Sequence, residues 1–349
     1  MSRQLMAREI LEESVLLYRK EDGTAVAVSN RCPHRFAPLH KGRLVGDVVE
    51  CAYHGLQFDC SGACVKNPHP GGNGPIPARA ALKSYPLVEK YGALWIWMGY
   101  KTPDESLIPD FSWLDGSDDS TVRGSVVVKA HYELITDNVL DLTHLPFLHA
   151  GGLGSAPRNL EHELVENVNE GDTYWCKRSS KSVEASPDFE RFNPKLKGQV
   201  CDKANAVRWN APAHVGIFPT YWYAGTKDEN LTWLKIGTMM TPISENETLQ
   251  FWSLTRNFAP NSEAMDAAMR RAAAVGLESE DVEMIEAQHR NMGTSDIFSL
   301  NLASLPGDTT PNRVRKALRK MIEEEQRELQ EGPLHRIGRP RSSEPVINA

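Results

Sequence analysis

Two short metal-ligand motifs near the N-terminus constrain the fold of this chain more than any other feature of its sequence. The first places Cys32 two positions before His34, and the second places Cys51 three positions before His54. Sixteen residues separate the two motifs, so each Cys–His pair fits on a tight loop of its own. Thiolates and imidazoles are ligands for iron and for zinc. The spacing therefore predicts two loops whose side chains converge on one metal centre.

The order of the ligands distinguishes an iron–sulfur cluster from zinc. In a Rieske 2Fe–2S centre two Cys bind one iron and two His bind the other. We therefore assign Cys32 and Cys51 to one iron, and His34 and His54 to the second. A Cys2His2 zinc site is the alternative, but it usually groups Cys with Cys and His with His, whereas here they interleave. Coincidence, with Cys in the core and His on the surface, is less favoured still, because all four ligand positions would have to match by chance.

A second set of ligand-type residues lies further along, in a stretch whose apolar period predicts a helix over about residues 134–145. Asn138, Asp141 and His144 are three residues apart, so on a helix they would share one face. In isolation they would more often be ordinary polar residues at a helix end. The cluster motif upstream favours a metal site.

His149 follows five residues after His144, and Pro146 stands between them. We expect Pro146 to end or bend the helix, which would let His149 turn back towards His144. Two His and one carboxylate on one face of an iron form the facial triad of non-haem Fe(II) oxygenases.

The carboxylate of this triad must come from further along the chain, and Asp281 and Asp296 are the candidates. Asp281 lies within a helix predicted over residues 262–292, with Leu277 and Ile285 on the same face. A carboxylate in an apolar stripe is costly unless a partner such as a metal ion offsets its burial. We choose Asp281, with Asp296 second; a solvated helical acid is the alternative reading of Asp281.

Both motifs together resemble the Rieske non-haem iron oxygenases over nearly the whole chain, and most of all the vanillate and dicamba O-demethylase branch. The resemblance rests on Cys-Pro-His-Arg-Phe-Ala-Pro-Leu (32–39), Tyr-His-Gly (53–55), Asp-Leu-Thr-His (141–144), Arg-Asn-Phe (256–258) and the Asp281 segment (279–287). It implies one Rieske cluster and one mononuclear Fe(II) per subunit, the latter held by His144, His149 and Asp281. It also implies that Asp141 links His144 to His54 of a neighbouring subunit in a homotrimer. Asp141 and Asn138 are the predicted catalytic residues.

The resemblance implies a terminal oxygenase that uses O2 to monooxygenate an aromatic substrate, by oxidative O-demethylation of a methoxy group. Hydroxylation, N-demethylation and cis-dihydroxylation of another cyclic substrate remain alternatives, and a Rieske electron carrier without catalytic iron is the reading from a different class. Thr238 and Ala272 stand where the dicamba enzyme uses a His and a Trp to hold its substrate. They are our predicted substrate-pocket positions, and they put that particular substrate in doubt.

No nucleotide-binding GxGxxG fingerprint follows a predicted strand, so NAD(P)H must act through a separate reductase, with or without a ferredoxin. The net charge of −7 and the lack of a dominant basic patch speak against a nucleic-acid partner. No apolar run approaches the length of a membrane span, and the N-terminus lacks the apolar core of a signal peptide. The Cys residues outside the two motifs read as ordinary thiols of a reducing compartment, so we expect a cytoplasmic protein.

The order of strand and helix signals predicts an α+β fold of two domains. A small all-β Rieske domain would span residues 1–105, and a catalytic domain with an antiparallel sheet flanked by helices would span 106–330. Residues 331–349 would be a flexible tail. The resemblance implies a further aromatic strand ahead of the hairpin predicted at 9–28; it is absent here, so we expect a shortened sheet edge or a truncated start.

Overall fold

The computed structural model describes residues 3–154, 157–226 and 231–331, and these residues form the predicted α+β fold. Short strands make up the N-terminal part, and a seven-stranded sheet flanked by helices makes up the rest. The tail predicted at 331–349 lies outside the described residues, apart from Glu331. Among the described helices, none is long and apolar enough to cross a membrane.

The N-terminal part contains two four-stranded antiparallel sheets, ordered β1-β2-β3-β8 and β4-β5-β6-β7, and the hairpin β9-β10. Leu16 and Val28 of the first sheet pack with Phe58 of the second in a core that also contains Cys32 and Cys51. The two cluster Cys therefore lie against the densest apolar part of this domain. The strands are β1 (Met6–Ile10), β2 (Glu13–Arg19), β3 (Ala25–Ser29), β4 (Arg43–Val45), β5 (Val48–Glu50), β6 (Gln57–Phe58), β7 (Cys64–Lys66), β8 (Ser84–Tyr85), β9 (Leu87–Lys90) and β10 (Ala93–Ile96).

Strand β1 carries no aromatic residue, so it is not the further aromatic strand of the family, and the expected shortening of the sheet edge stays a prediction. Strand β1 precedes the predicted hairpin and pairs with β2 in antiparallel register, from Met6 opposite Leu17 to Ile10 opposite Glu13. Most of the β1 side chains are exposed. Such an edge strand needs few apolar residues, which explains why the alternation in its sequence is too weak to predict it.

The second part of the chain is built on one antiparallel sheet with the order β11-β17-β16-β15-β14-β13-β12. The sequence over 206–225 has the pattern of a single strand, but these residues form the end of β14 and all of β15, divided by a turn at 211–213. No pattern in the sequence predicted β12 at the far edge or β13 beside it. The strands are β11 (Thr121–Val128), β12 (Leu164–Glu170), β13 (Thr173–Val183), β14 (Cys201–Asn210), β15 (His214–Tyr223), β16 (Thr232–Ser244) and β17 (Glu247–Arg256).

The acidic, Pro-containing segment at 101–120, which we call the docked segment, lies on the outer face of this sheet. Gly216 and Gly237 lie opposite each other on β15 and β16. A Cβ atom on Gly237 would come within 3.2 Å of the Phe111 ring, and one on Gly216 within 3.2 Å of the Trp113 ring. The two glycines therefore leave the space that these aromatic rings fill.

Six α-helices lie among the described residues, and those nearest the motifs differ from the prediction. The helix predicted over 134–145 ends at Leu140, because Asp141 adopts extended backbone angles (φ −104°, ψ 94°). Pro146 lies in the first turn of the next helix rather than at a helix end. The helices are α1 (Tyr132–Leu140), α2 (Leu145–Leu148), α3 (Pro187–Phe192), α4 (Glu263–Val275), α5 (Asp281–Met292) and α6 (Thr309–Glu331).

The predicted helix at 262–292 is present but interrupted. Helices α4 and α5 are joined by a π-helical turn at Gly276–Glu280, which we call the π-turn. Ser262 caps the start of α4, with its side chain accepting a hydrogen bond from the Met265 amide. Gly293 ends α5 in the left-handed conformation that glycine adopts readily.

Candidate metal centres

The two Cys–His loops have the same backbone design. The Phe36 amide donates to the Cys32 carbonyl at 2.8 Å, and the Gly55 amide donates to the Cys51 carbonyl at 3.0 Å. The fourth residue after each Cys has a positive φ, 55° at Phe36 and 73° at Gly55. These matched turns place a Cys and a His at equivalent points of two facing loops, as expected for a centre that both loops share.

The side chains of the two loops divide into a buried pair and a peripheral pair. Cys32 and Cys51 are each 2% exposed, whereas His34 is exposed and His54 half-buried. The imidazole centroids are 4.5 Å apart. Burial and the neighbouring Cys51 thiol raise the pKa of Cys32 to about 11. Iron displaces thiol protons when it binds, so two buried thiols with two imidazoles at the rim fit the donor set of a Rieske cluster.

A second centre lies in the other domain, where His144, His149 and Asp281 each offer a ligand atom and all three atoms lie within 4.8 Å of one another. Asp281 Oδ1 is 3.1 Å from His149 Nε2 and 3.7 Å from His144 Nε2. The His149 side chain is 2% exposed and that of Asp281 8%. Two imidazole nitrogens and a carboxylate oxygen that converge in a buried position fit the facial triad of a mononuclear iron.

The local fold explains why these residues meet, although not by the shared helix face that the sequence suggested. Asp141 ends α1 and also caps the short 3₁₀ turn Leu142–His144, its carboxylate accepting from the Thr143 amide at 3.0 Å. The chain then turns into α2, after which His149 faces α5. The break at Asp141, rather than Pro146, therefore sets the direction of both imidazoles.

Asn138 contacts the carboxylate of this centre from α1. Its amide nitrogen donates to Asp281 Oδ1 at 2.9 Å, so it fixes the orientation of the predicted ligand. On the other side, Glu280 Oε2 lies 2.6 Å from His149 Nδ1.

Asp141 contacts His144 through its backbone carbonyl rather than its side chain, with 2.7 Å between the carbonyl oxygen and His144 Nδ1. Its carboxylate faces Arg178 Nη2 at 3.3 Å. A Cβ atom on Gly307 would lie 2.4 Å from Asp141 Oδ2, so the carboxylate is also closely packed. The side-chain link from Asp141 to His144 that the sequence suggested is therefore made by the main chain.

The two imidazoles have different electrostatic surroundings. Burial lowers the pKa of His144, and nearby Asp281 offsets this only in part. Burial also acts to lower the pKa of His149, but hydrogen bonds to Asp281 and Glu280 outweigh it and raise that pKa. The site thus favours positive charge next to His149, as a metal ion would supply.

The alternative carboxylate is not part of this group. Asp296 caps a short 3₁₀ turn and pairs with Arg319 at 2.6 Å on the surface.

Both predicted substrate-pocket residues lie on the helix side of the sheet. Thr238 is 2% exposed, and its hydroxyl accepts from Gln250 Nε2 at 3.0 Å. Ala272 packs against the main core, and its carbonyl accepts from the Gly276 amide where the π-turn begins. Their role towards a substrate stays a prediction.

The sequence did not predict Glu280 or Arg178. Glu280 could have been found, since it directly precedes Asp281 and a carboxylate often accepts from the second nitrogen of a metal-binding His. Arg178 comes from β13, a strand that was not predicted, so no signal connected it with Asp141.

Two family models match the chain. A Rieske [2Fe-2S] domain covers residues 2–86, and a vanillate O-demethylase oxygenase C-terminal domain covers residues 128–324.

Among individual relatives, the oxygenase component of dicamba O-demethylase from Stenotrophomonas maltophilia is 32% identical, over 92% of this chain and 94% of its own length. The iron–sulfur subunit TsaM1 of the toluene-4-sulfonate monooxygenase system of Comamonas testosteroni is 33% identical, over 92% of each chain. The crystal structure of dicamba monooxygenase bound to 3,6-dichlorosalicylic acid superposes with a TM-score of 0.86 at 31% identity, covering 93% of this chain and 95% of that one.

Proposed function

The chain belongs to the Rieske non-haem iron oxygenases with a catalytic domain of the vanillate O-demethylase type, and from this premise we propose that it is a terminal oxygenase that O-demethylates a methoxylated aromatic compound. The observation that carries this proposal is the convergence of His144, His149 and Asp281 within 4.8 Å, in the same chain as the paired Cys–His loops. An electron carrier would need only the loops.

The proposed ligands are Cys32, Cys51, His34 and His54 for the cluster, and His144, His149 and Asp281 for the mononuclear iron. When bound, the cluster supplies electrons and the mononuclear iron activates O2. The chain's own residues prepare the site: Asn138 directs Asp281 Oδ1 towards the two His Nε2 atoms. The Asp141 carbonyl orients His144 by accepting from Nδ1, which leaves Nε2 free for the metal.

The substrate-pocket positions suggest a neutral aromatic compound. Thr238 pairs in register with Trp252 on β17, and the Trp252 indole donates to Glu278 of the π-turn at 2.9 Å. Thr238 thus lies one side chain away from the segment that carries Asp281. Its buried partner Gln250 is uncharged, so this pair supplies no positive charge to offset the burial of a substrate carboxylate.

The electron donor in this proposal is a separate NAD(P)H-dependent reductase, with or without a ferredoxin, and the cytoplasm is the proposed location. We also propose a homotrimer in which the cluster loops of one subunit meet Asp141 of the next. Exposed aromatic rings flank the cluster His, with Phe36 66% and Tyr53 62% exposed, and Phe147 beside the second centre is 69% exposed. When two different surfaces of a chain are complementary, successive subunits form a closed ring if the rotation that relates them completes a full turn, which three subunits do in a trimer.

We propose that the domain boundary falls between residues 105 and 106, within the docked segment. Trp95 of β10 lies 6.3 Å from Phe111 and 5.1 Å from His214 on the sheet, measured between ring centroids.

A single-turnover experiment tests the activity without knowing the reductase. The iron-loaded, dithionite-reduced protein is mixed with O2 and a panel of neutral methoxybenzenes and methoxybenzoates. We expect formaldehyde and the corresponding phenol in equal amounts, with the neutral compounds preferred. The His149→Ala variant, which keeps the cluster ligands, should release neither product.

One relative favours a second candidate, hydroxylation of a ring substituent other than methoxy, because the toluene-4-sulfonate monooxygenase subunit is as similar as the dicamba enzyme. Hydroxylated product from methylated arenes, without formaldehyde from any methoxyarene, would support it against O-demethylation.

A further inference from the structure

His149 lies between two carboxylates that are consecutive in the sequence. Its Nε2 is 3.1 Å from Asp281 Oδ1, and its Nδ1 is 2.6 Å from Glu280 Oε2. We propose that Glu280 is a positioning residue of the mononuclear iron site, which fixes the His149 ring and supplies a second negative charge beside the metal. This proposal rests on the proposed function only in taking Fe(II) as the metal.

The π-turn makes this arrangement possible. Successive residues of an α-helix point about 100° apart, so neighbouring side chains do not ordinarily reach both nitrogens of one ring. The π-turn widens the helix at Gly276–Glu280, immediately before Asp281. A Cβ atom on Gly276 would lie 3.9 Å from His149 Nδ1, so the imidazole packs directly against this widened turn. π-helical turns within α-helices are frequent at functional sites.

The π-turn is also fixed to the sheet behind it. Glu278 Oε1 accepts from the Trp252 indole at 2.9 Å. The Trp252 ring fills the space above Gly124, where a Cβ atom would come within 2.2 Å of it. Because Glu278 is held by β17, Glu280 two residues later has a defined position from which to contact His149.

The contact determines which imidazole nitrogen is free. A carboxylate can only accept, so His149 Nδ1 must carry a proton to donate to Glu280. When the imidazole is neutral, Nε2 then has its lone pair directed towards Asp281 and the metal position. A carboxylate that accepts from the second nitrogen also raises the basicity of the ligating one.

The two ligand His differ in this respect. His144 Nδ1 lies beside the neutral Asp141 carbonyl, whereas His149 Nδ1 lies beside a charged group. Asp281 and Glu280 together carry two negative charges, equal to the charge of Fe(II), while the Asp141 carboxylate has Arg178 as its own partner. The buried site is therefore close to neutral with Fe(II) bound, which reduces the cost of placing the ion there.

Measuring Fe(II) affinity by competition with a chromophoric chelator tests this role directly. We compare the wild-type chain with Glu280→Gln, which keeps an acceptor but removes the charge, and Glu280→Leu, which removes both. Glu283→Gln is the matched control, because Glu283 is an exposed acid on the same helix. Losing such a partner typically costs 10- to 100-fold in metal affinity. We expect about 10-fold weaker Fe(II) binding for Glu280→Gln and about 100-fold for Glu280→Leu.

Substitution of Co(II) for Fe(II) gives a readout that a structural role would not change. Loss of the Glu280 charge beside His149 should shift the visible absorption of bound Co(II) in Glu280→Gln, while Glu283→Gln keeps the wild-type spectrum. Without metal, both variants should unfold at the wild-type temperature. Wild-type affinity and spectrum in Glu280→Gln would overturn the proposal. Failure of the wild-type chain to bind Fe(II) would instead contradict the proposed iron site itself.

Discussion

Asp141 contributes to the proposed centre in two separable ways. Its carbonyl orients His144, while its carboxylate is held next to Arg178, which Glu163 contacts in turn at 2.7 Å. A side-chain substitution at this position therefore leaves the contact to His144 in place. This separation makes the proposed bridge to His54 of a neighbouring subunit testable.

The Asp141→Asn variant should retain both metal centres but transfer electrons more slowly between subunits. The Asp141 carbonyl already accepts from His144, so the carboxylate is the group left to accept from His54 of the neighbouring subunit, and an amide offers a single uncharged oxygen in its place. We expect the single-turnover rate to fall by about tenfold or more, which corresponds to about 1.4 kcal/mol in activation free energy. Rapid-mixing spectroscopy of cluster oxidation measures this rate, and a wild-type rate with full iron content would contradict the bridge.

His131, just before α1, makes the folded state sensitive to acid. Burial and then the nearby Arg315 charge lower the pKa of His131 to about 4, against about 6.5 in an unfolded chain. Between these values the unfolded state binds more protons, so the free energy of unfolding decreases as the pH falls. The contribution is fully present above pH 6.5, and about 3 kcal/mol of it is lost by pH 4.

The His131→Phe variant keeps a ring but cannot take up a proton, so its stability should fall less than that of the wild type over this pH range. Urea unfolding at several pH values measures the difference, with His162→Gln as a control because His162 is exposed. Parallel pH profiles for wild type and His131→Phe would contradict this explanation.

At the scale of elements, helix α6 stabilises the helix that precedes the iron site. Arg315 of α6 is 4% exposed, and its guanidinium bonds to Glu133 at 2.6 Å and to Asp137 at 2.7 Å on α1. Near its other end, Glu328 accepts from the hydroxyl of Tyr100 at 2.9 Å, and Tyr100 directly precedes the docked segment. Helix α6 thus connects the start of that segment to the helix carrying Asn138.

Arg315→Ala should destabilise the fold strongly, because it leaves two carboxylates without their buried partner. Breaking a buried ion pair in this way typically costs about 3–5 kcal/mol. Lys320→Ala on the same helix is the control: Lys320 is 75% exposed and its pair with Glu324 lies on the surface, where a pair is worth about 0–1 kcal/mol. Equal changes in the free energy of unfolding for the two variants would contradict this stabilising role of Arg315.

Two physical causes explain the elements that sequence reasoning missed. The helical period across 134–145 is genuine on both sides of Asp141, so periodicity could not show that the side chain caps a new turn and breaks the helix there. Strand β12 is the far edge of the sheet and is mostly exposed, while β13 lies next to it, paired with both β12 and β14. Edge strands bury little surface, and their alternation is correspondingly weak.

At the scale of the whole molecule, the sequence predicted which residues would meet but not what surrounds them. Asp281 was chosen because an acid stood in an apolar stripe, and the structure places it against His149, 132 residues away. The roles of Glu280 and Arg178 depend on the π-turn and on strand β13, which only the folded chain reveals. Direct contacts also join the two parts, since the Leu11 amide donates to the Pro242 carbonyl on β16 at 2.9 Å.

The most direct test of the account is the iron and acid-labile sulfide content of anaerobically purified protein, together with an EPR spectrum of the reduced form. One Rieske cluster and one mononuclear iron per chain predict three irons and two sulfides with a Rieske signal. The His149→Ala variant should lose one iron and keep the signal. Two irons and two sulfides in the wild type, unchanged after Fe(II) is added, would contradict the second metal centre and with it the proposed oxygenase.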